Sequence, residues 1–254
     1  MFEPWSCERM NVAFLGASRG MGRALARLMA ERGAGLVLLG RNIEQLEHSA
    51  RDLELRGALR PVGVQHCDLE DPTTFEPALV GALEHLGGLD TVVVTAGLFG
   101  TQDELEADLE HARRVLEVNF THTIVFCEQV RTLLLERGGG TLCVFSSVAG
   151  DRGRKPVGLY GASKAGLSHY LESLDHKYRA EGLKTICIKP GFVKTAMTHG
   201  LKPPPFAGEP EQVARRVLAA IERGTPEVYA PAIWGAIMAI IRRLPRAVMR
   251  RVNF

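Results

Sequence analysis

The chain is 254 residues long and 46% hydrophobic, and 31 Lys and Arg against 29 Asp and Glu leave a net charge of +2. That length suits one large α/β domain, residues 1–254, and so even a balance excludes nucleic acid as a partner for the surface as a whole. No uncharged apolar run is long enough to span a bilayer, and the N-terminal "MFEPWSCERM" reads as neither a secretory signal nor a transit peptide.

In chain order, the strand-like "NVAFL" runs straight into Gly16-Ala-Ser-Arg-Gly20-Met-Gly22 and then into a helical pattern. Glycines at that junction let the backbone approach a pyrophosphate closely and aim the opening amides of the helix at the anion. After the second strand, "GLVLLG", comes Gly40-Arg41-Asn42, where an NAD enzyme usually offers an acid to the ribose. Arg41, with Arg19 from the glycine turn, suits a 2′-phosphate instead and points to NADP(H). The apolar runs continue as "PVGVQHC", "TVVVTAG", "TLCVFSS", "KTICIKPG" and "EVYAPA", alternating with amphipathic stretches. This alternation predicts a doubly wound, Rossmann-like, seven-stranded parallel sheet with helices on both faces. Among the helical stretches, residues 110–140 carry one continuous pattern of apolar residues at three- and four-residue spacing.

The stretch "LYGASKAGL" places Tyr160 four residues ahead of Lys164, on one face of a helix. A phenol of pKa about 10 is a weak acid–base catalyst at neutral pH unless a cation favours its anion. Lys164 stands where it does that, and its three donors suit a cofactor ribose. Gly158, Gly161, Ala162 and Ser163 leave room for a nicotinamide and a substrate. Further on, Pro203 to Pro205 forbid a helix in "AMTHGLKPPPFAGEP" and predict an extended loop. The tail, about 233–254, sets Trp234, Ile237, Met238, Ile241 and Val248 in one apolar stripe beside five arginines and no acid. Such a segment lies either in a membrane interface or against the protein body. The five cysteines, Cys7, Cys67, Cys127, Cys143 and Cys187, lack paired spacing and read as reduced core residues of a cytoplasmic protein. The eight histidines lack metal-ligand spacing, and no metal is expected.

Taken together these motifs resemble the short-chain dehydrogenase/reductase family over essentially the whole chain. Gly16, Gly20 and Gly22 match its phosphate turn, Asp68 the acid at the adenine amine, and Asn119 in "LEVNF" its helix asparagine. Ser147, thirteen residues before Tyr160, matches its catalytic serine, with the adjacent Ser146 as the alternative. "KPGFVKT" matches the segment lining the nicotinamide, though Thr195 suits a helix cap as well. The resemblance implies an NADP(H)-dependent oxidoreductase acting on a small carbonyl or alcohol, with Ser147, Tyr160, Lys164 and Asn119 catalytic. It implies cofactor contacts at Gly16, Ser18, Arg19, Gly20, Met21, Arg41, Asp68, Leu69, Thr95, Ala96, Gly97, Tyr160, Lys164, Pro190, Gly191, Val193 and Thr195. It further implies a substrate lid over residues 196–209 and a homodimer or homotetramer through residues about 104–136 and 157–181. On those helices Val115, Val118, Phe126, Leu167, Tyr170 and Leu174 suit either an interface or the core. Two positions depart from the family pattern. Leu15 replaces a threonine, and Val94-Thr95-Ala96-Gly97 replaces Asn-Asn-Ala-Gly, so the bracing amides are lost while the Thr95 hydroxyl remains beside the adenosine ribose. The tail is also similar to the end of keto-sugar reductases acting on decaprenylphosphoryl pentose. That similarity offers an alternative reading, a lipid-linked 2-keto-sugar reductase at the membrane surface.

Overall fold

The computed structural model describes residues 10–252. Cys7, all but the last residue of "MFEPWSCERM", and the last two residues of the tail lie outside the described residues. The elements run β1 (Asn11–Leu15), α1 (Gly20–Ala30), β2 (Gly35–Gly40), α2 (Ile43–Leu55), β3 (Leu59–His66), α3 (Phe75–Leu86) and β4 (Thr91–Val94). They continue through α4 (Gln102–Ala107), α5 (Leu109–Leu116), α6 (Thr123–Glu136), β5 (Gly140–Phe145), α7 (Gly158–Tyr178) and β6 (Leu183–Pro190). The chain closes with α8 (Pro210–Arg223), β7 (Glu227–Ala230), α9 (Ile233–Ile241) and α10 (Arg246–Met249). The sheet order is β3-β2-β1-β4-β5-β6-β7, with every neighbouring pair parallel.

Why the central strands are apolar on both faces follows from this topology. Val12 and Phe14 of β1 point into one cluster with residues of α1, α2 and α8, while Ala13 and Leu15 point into the other with α3, α6 and α7. Burying each large side chain this way contributes about 1.5–3 kcal/mol. Phe75 and Phe126 meet edge to face in the second cluster, 5.4 Å between centroids. The order reverses between β1 and β4, and at such a switch point the strand ends splay into a crevice.

The continuous helical pattern over 110–140 turns out to be interrupted. Asp108 starts α5, its carboxylate accepting from the His111 amide at 3.0 Å. A π-helical turn over Glu117–His122 then separates α5 from α6, with the Thr123 hydroxyl donating to the Val118 carbonyl at 2.6 Å. The wider turn rotates Asn119 to full burial. Of the residues that suit either interface or core, Val115, Val118, Phe126, Leu167 and Leu174 are core. This part of the chain instead exposes Phe120 and Val125.

Candidate active site

At the switch point a cleft of about 640 Å³ opens over the C-terminal ends of β1 to β4. The glycine turn forms one wall. Gly16 holds φ at +98°, and a Cβ there would stand 2.6 Å from both the Ala96 nitrogen and the Thr95 hydroxyl oxygen. At Gly22 an added Cβ would stand 2.2 Å from the Gly16 carbonyl oxygen. The Thr95 hydroxyl donates to the carbonyls of Gly16 at 2.9 Å and Leu15 at 3.3 Å. The amides expected of the family pattern are absent, and the Thr95 hydroxyl supplies a brace in their place. The threonine ties β4 to the turn itself, because its short side chain reaches the two carbonyls that the β1 end presents.

Ser18, Arg19, Gly20, Met21, Arg41, Asp68, Leu69, Thr95, Ala96, Gly97 and Thr195 join Gly16 in lining the cleft. Pro190 and Val193 do not; both are buried at the end of β6. Gly191 lies under the Trp234 indole, whose Nε1 a Cβ on Gly191 would meet at 2.1 Å. The cleft also takes in Asn42, Gln45, Glu70 and Phe99, which the sequence did not mark, and Met197 from the segment expected to form the lid. Only Asn42 carried a local signal, as the cap of α2, its side chain accepting from the Gln45 amide at 2.9 Å. Glu70 accepts from Arg41 Nη1 at 3.1 Å and from Arg114 Nε and Nη2 at 3.0 and 2.8 Å. The bonds from Arg114 and then Arg41 hold its carboxyl below the usual carboxylate range. With the Gln45 amide oxygen turned toward it, Arg19 donates to that oxygen through Nε at 3.2 Å and Nη2 at 2.9 Å. Two guanidiniums thus stand on the cleft wall, each steadied by a neighbour invisible in the local sequence.

Past β5 the chain leaves the sheet through Ser146 and Ser147, whose side chains diverge by strand alternation. Ser146 is buried, its hydroxyl bonded to the Lys164 carbonyl at 2.9 Å and to the Ser168 hydroxyl at 2.7 Å. Ser147 is half-buried and opens the short 3-10 turn Val148–Gly150, its Oγ accepting from the Ala149 amide at 3.0 Å. Ser147 is therefore the serine on the Tyr160 side. Tyr160 lies in the first turn of α7, with the Phe99 ring edge-on at 5.0 Å between centroids. One turn on, the buried Lys164 Nζ donates to the Phe145 carbonyl at 3.0 Å and lies 6.0 Å from the Tyr160 ring centroid. The Asn119 side chain accepts from the Leu98 amide at 2.8 Å and donates to the Leu98 carbonyl at 2.7 Å. A Cβ on Gly97 would meet Asn119 Oδ1 at 2.9 Å and Lys164 Nζ at 3.6 Å, so asparagine, lysine and the β4 loop converge on one point.

Burial dominates the electrostatics of this group. It pushes the Tyr160 phenol up to about 12, the Ser147 hydroxyl working the other way, and it brings the Lys164 ammonium down to about 8. This differs from the expectation that the ammonium makes the phenol acidic. Lys164 Nζ lies 6.0 Å from the ring centroid and is bonded to the Phe145 carbonyl, and desolvation of the phenol outweighs it.

The segment expected to form the lid is held by pieces far apart in the chain. Residues 196–198 form a 3-10 turn after Thr195, and residues 199–209 follow without helix or strand. This segment is pinned where Gly208 pairs with Phe192 and Lys194, and where the Trp234 indole donates to the Phe206 carbonyl at 3.2 Å. In the tail, Trp234, Ile237, Met238 and Ile241 pack onto Val148 and Tyr229, together with Met249. Val248 is 40% exposed, a departure from the single stripe. Pro245, ahead of α10, cannot continue α9 and resets the helical phase. Among the described residues no helix is long and apolar enough to cross a membrane.

The model of the short chain dehydrogenase family matches residues 10–205. An uncharacterised oxidoreductase of Mycobacterium tuberculosis is 32% identical over 95% of this chain and 96% of its own length. Carbonyl reductase family member 4 of Xenopus tropicalis is 28% identical over 90% of this chain and 94% of that protein. Among solved structures, a short-chain type dehydrogenase/reductase from Mycobacterium marinum superposes with a TM-score of 0.78 at 23% identity, covering 87% of this chain and 94% of that one.

Proposed function

This chain belongs to the short chain dehydrogenase family, and from that premise we propose that it is an NADPH-dependent carbonyl reductase, reversible as an alcohol dehydrogenase. The observation that carries the reading is the meeting of Ser147, Tyr160, Lys164 and Asn119 beside a cradle that a single added carbon would fill. A phenol held at about 12 is protonated at neutral pH, so Tyr160 is set to give a proton to a carbonyl oxygen. The Ser147 hydroxyl donates to the same oxygen as charge grows there, a role whose removal costs about 2.7–4 kcal/mol. Lys164 holds the cofactor ribose and faces the phenol. Asn119 keeps one N–H and one lone pair beyond its bonds to Leu98, enough to hold a water on the route by which protons reach Lys164. When bound, the nicotinamide supplies the hydride, and the protein supplies distance and orientation.

NADP(H) is favoured over NAD(H) by Arg19 and Arg41 at the adenosine end of the cleft. Carbonyl reduction as the class is supported by the named relative from Xenopus. Four buried, unpaired cysteines suit a reducing compartment, and we place the enzyme in the cytoplasm. NADPH oxidation followed over a panel of ketones and keto-sugars tests the reading together with Tyr160→Phe. The variant is expected to lose on the order of 10²–10⁴ of the rate while NADPH affinity, read by fluorescence titration, stays within a few-fold. An undiminished rate, or faster turnover with NADH than with NADPH at equal concentration, refutes it.

A further inference from the structure

Building on that reading, we propose that the carbonyl substrate carries an anionic oxygen group, a carboxylate or a phosphate ester, and that Arg154 binds it. Arg154 lies in the segment that joins the turn carrying Ser147 to the first turn of α7 carrying Tyr160. Its side chain is half-buried, and its Nε is fully buried without a hydrogen-bond partner among the described residues. A guanidinium taken out of water with a donor unmet is costly, and the cost is recovered when an anion arrives. The acid whose charge reaches it, Asp151, is already committed. One Asp151 oxygen holds Lys189 Nζ at 2.9 Å and the other accepts from the Tyr229 hydroxyl at 2.7 Å. Arg152, two residues earlier, donates to the Leu244 carbonyl at 2.9 Å and so fastens the tail. The two arginines of "DRGRK" therefore do different things: one is a strut, the other keeps a buried Nε–H with no partner among the described residues.

No acid occurs from Arg152 to Leu171 or from Pro231 to the end of the chain. In the lid, the carboxylate of Glu209 is paired with Lys194. On α4, which packs against residues 155–157, Glu104 is held by Thr101 and Glu106 by Gln102, while Asp103 is exposed. These carboxylates keep their charge, so the pull on an anion comes from Arg154 itself, whose planar fork fits carboxylate or phosphate with paired bonds.

Two matched pairs of substrates test this with NADPH and the full chain: 4-formylbenzoate against its methyl ester, and dihydroxyacetone phosphate against dihydroxyacetone. The wild type is expected to favour the anionic member of at least one pair by about tenfold or more in kcat/KM. Which pair shows the preference tells carboxylate from phosphate. Arg154→Met should abolish the preference yet leave the neutral member within about twofold, and Arg154→Lys should keep part of it. A preference that survives Arg154→Met, or no preference in either pair, overturns the proposal. Thermal melting without NADPH gives a readout independent of turnover. Arg154→Met should melt above the wild type, since an uncompensated buried cation is removed, and each preferred anion should raise the wild-type Tm and not that of the variant. A variant that melts below the wild type marks a structural arginine and sinks the assignment. If no member of either pair is reduced, the reductase reading fails, while the melting comparison still decides what Arg154 does.

Discussion

Around the glycine turn the chain has no spare volume, whereas around Ser147 and Arg154 it has polar groups that few contacts restrain. Between Gly16, Gly22 and Thr95 an added carbon would collide with backbone. At the other end, the turn carrying Ser147 is tied to the sheet through Asp151, Lys189 and Tyr229, and the lid through Trp234 and Phe206. The difference reflects what each region meets. A pyrophosphate has one shape, which close-packed backbone fits permanently, while the reacting partner is admitted between segments that only a handful of side-chain bonds hold together.

That contrast is breakable, and the largest expected effect lies at the substrate end. Lys189→Met would strip Asp151 and Glu227 of their shared cation. Asp151 is 4% exposed, and leaving such a charge unpaired costs about 3–5 kcal/mol, the half-exposed Glu227 adding little. Urea unfolding reads the loss. If the regions are separate, NADPH affinity measured on the folded fraction stays unchanged while kcat drops with the Ser147 turn. Gly22→Ala attacks the other end by addition: about 3 kcal/mol of overpacking, with NADPH binding abolished in a fluorescence titration. Normal binding by that variant would show that the turn is softer than its geometry implies. The mildest change sharpens the contrast further. Thr95→Val keeps the volume and removes the bonds to Gly16 and Leu15, which should cost about 1 kcal/mol and raise the KM for NADPH several-fold with kcat untouched. A fall in kcat instead would mean that the brace reaches the reacting groups.

Local periodicity carried much of the molecule. Strands buried on both faces leave uniform apolar runs, and helices between them leave three- and four-residue spacing, so the seven-stranded sheet was readable from residues 11–230. The same periodicities place Tyr160 above Lys164 and send Ser147 away from Ser146, because helix and strand geometry alone decide those directions. Elsewhere the signal failed for a common reason. The π-helical turn at Asn119 inserts a residue into a pattern that reads equally well without it. The grip of Glu70 and Arg114 on Arg41, the cover of Trp234 over Gly191 and the bond from Thr95 to the glycine turn each join residues distant along the chain.

The amino-acid order by itself determined the sheet, the phosphate turn and the spacing of serine, tyrosine and lysine, since each is written in residues within a few turns of one another. Only the folded structure decided that burial raises the Tyr160 phenol and lowers the Lys164 ammonium, and that Arg154 is left with a donor unmet. Those properties depend on how much water and which charges surround a group, and both are set by elements that the fold brings together from opposite ends of the chain.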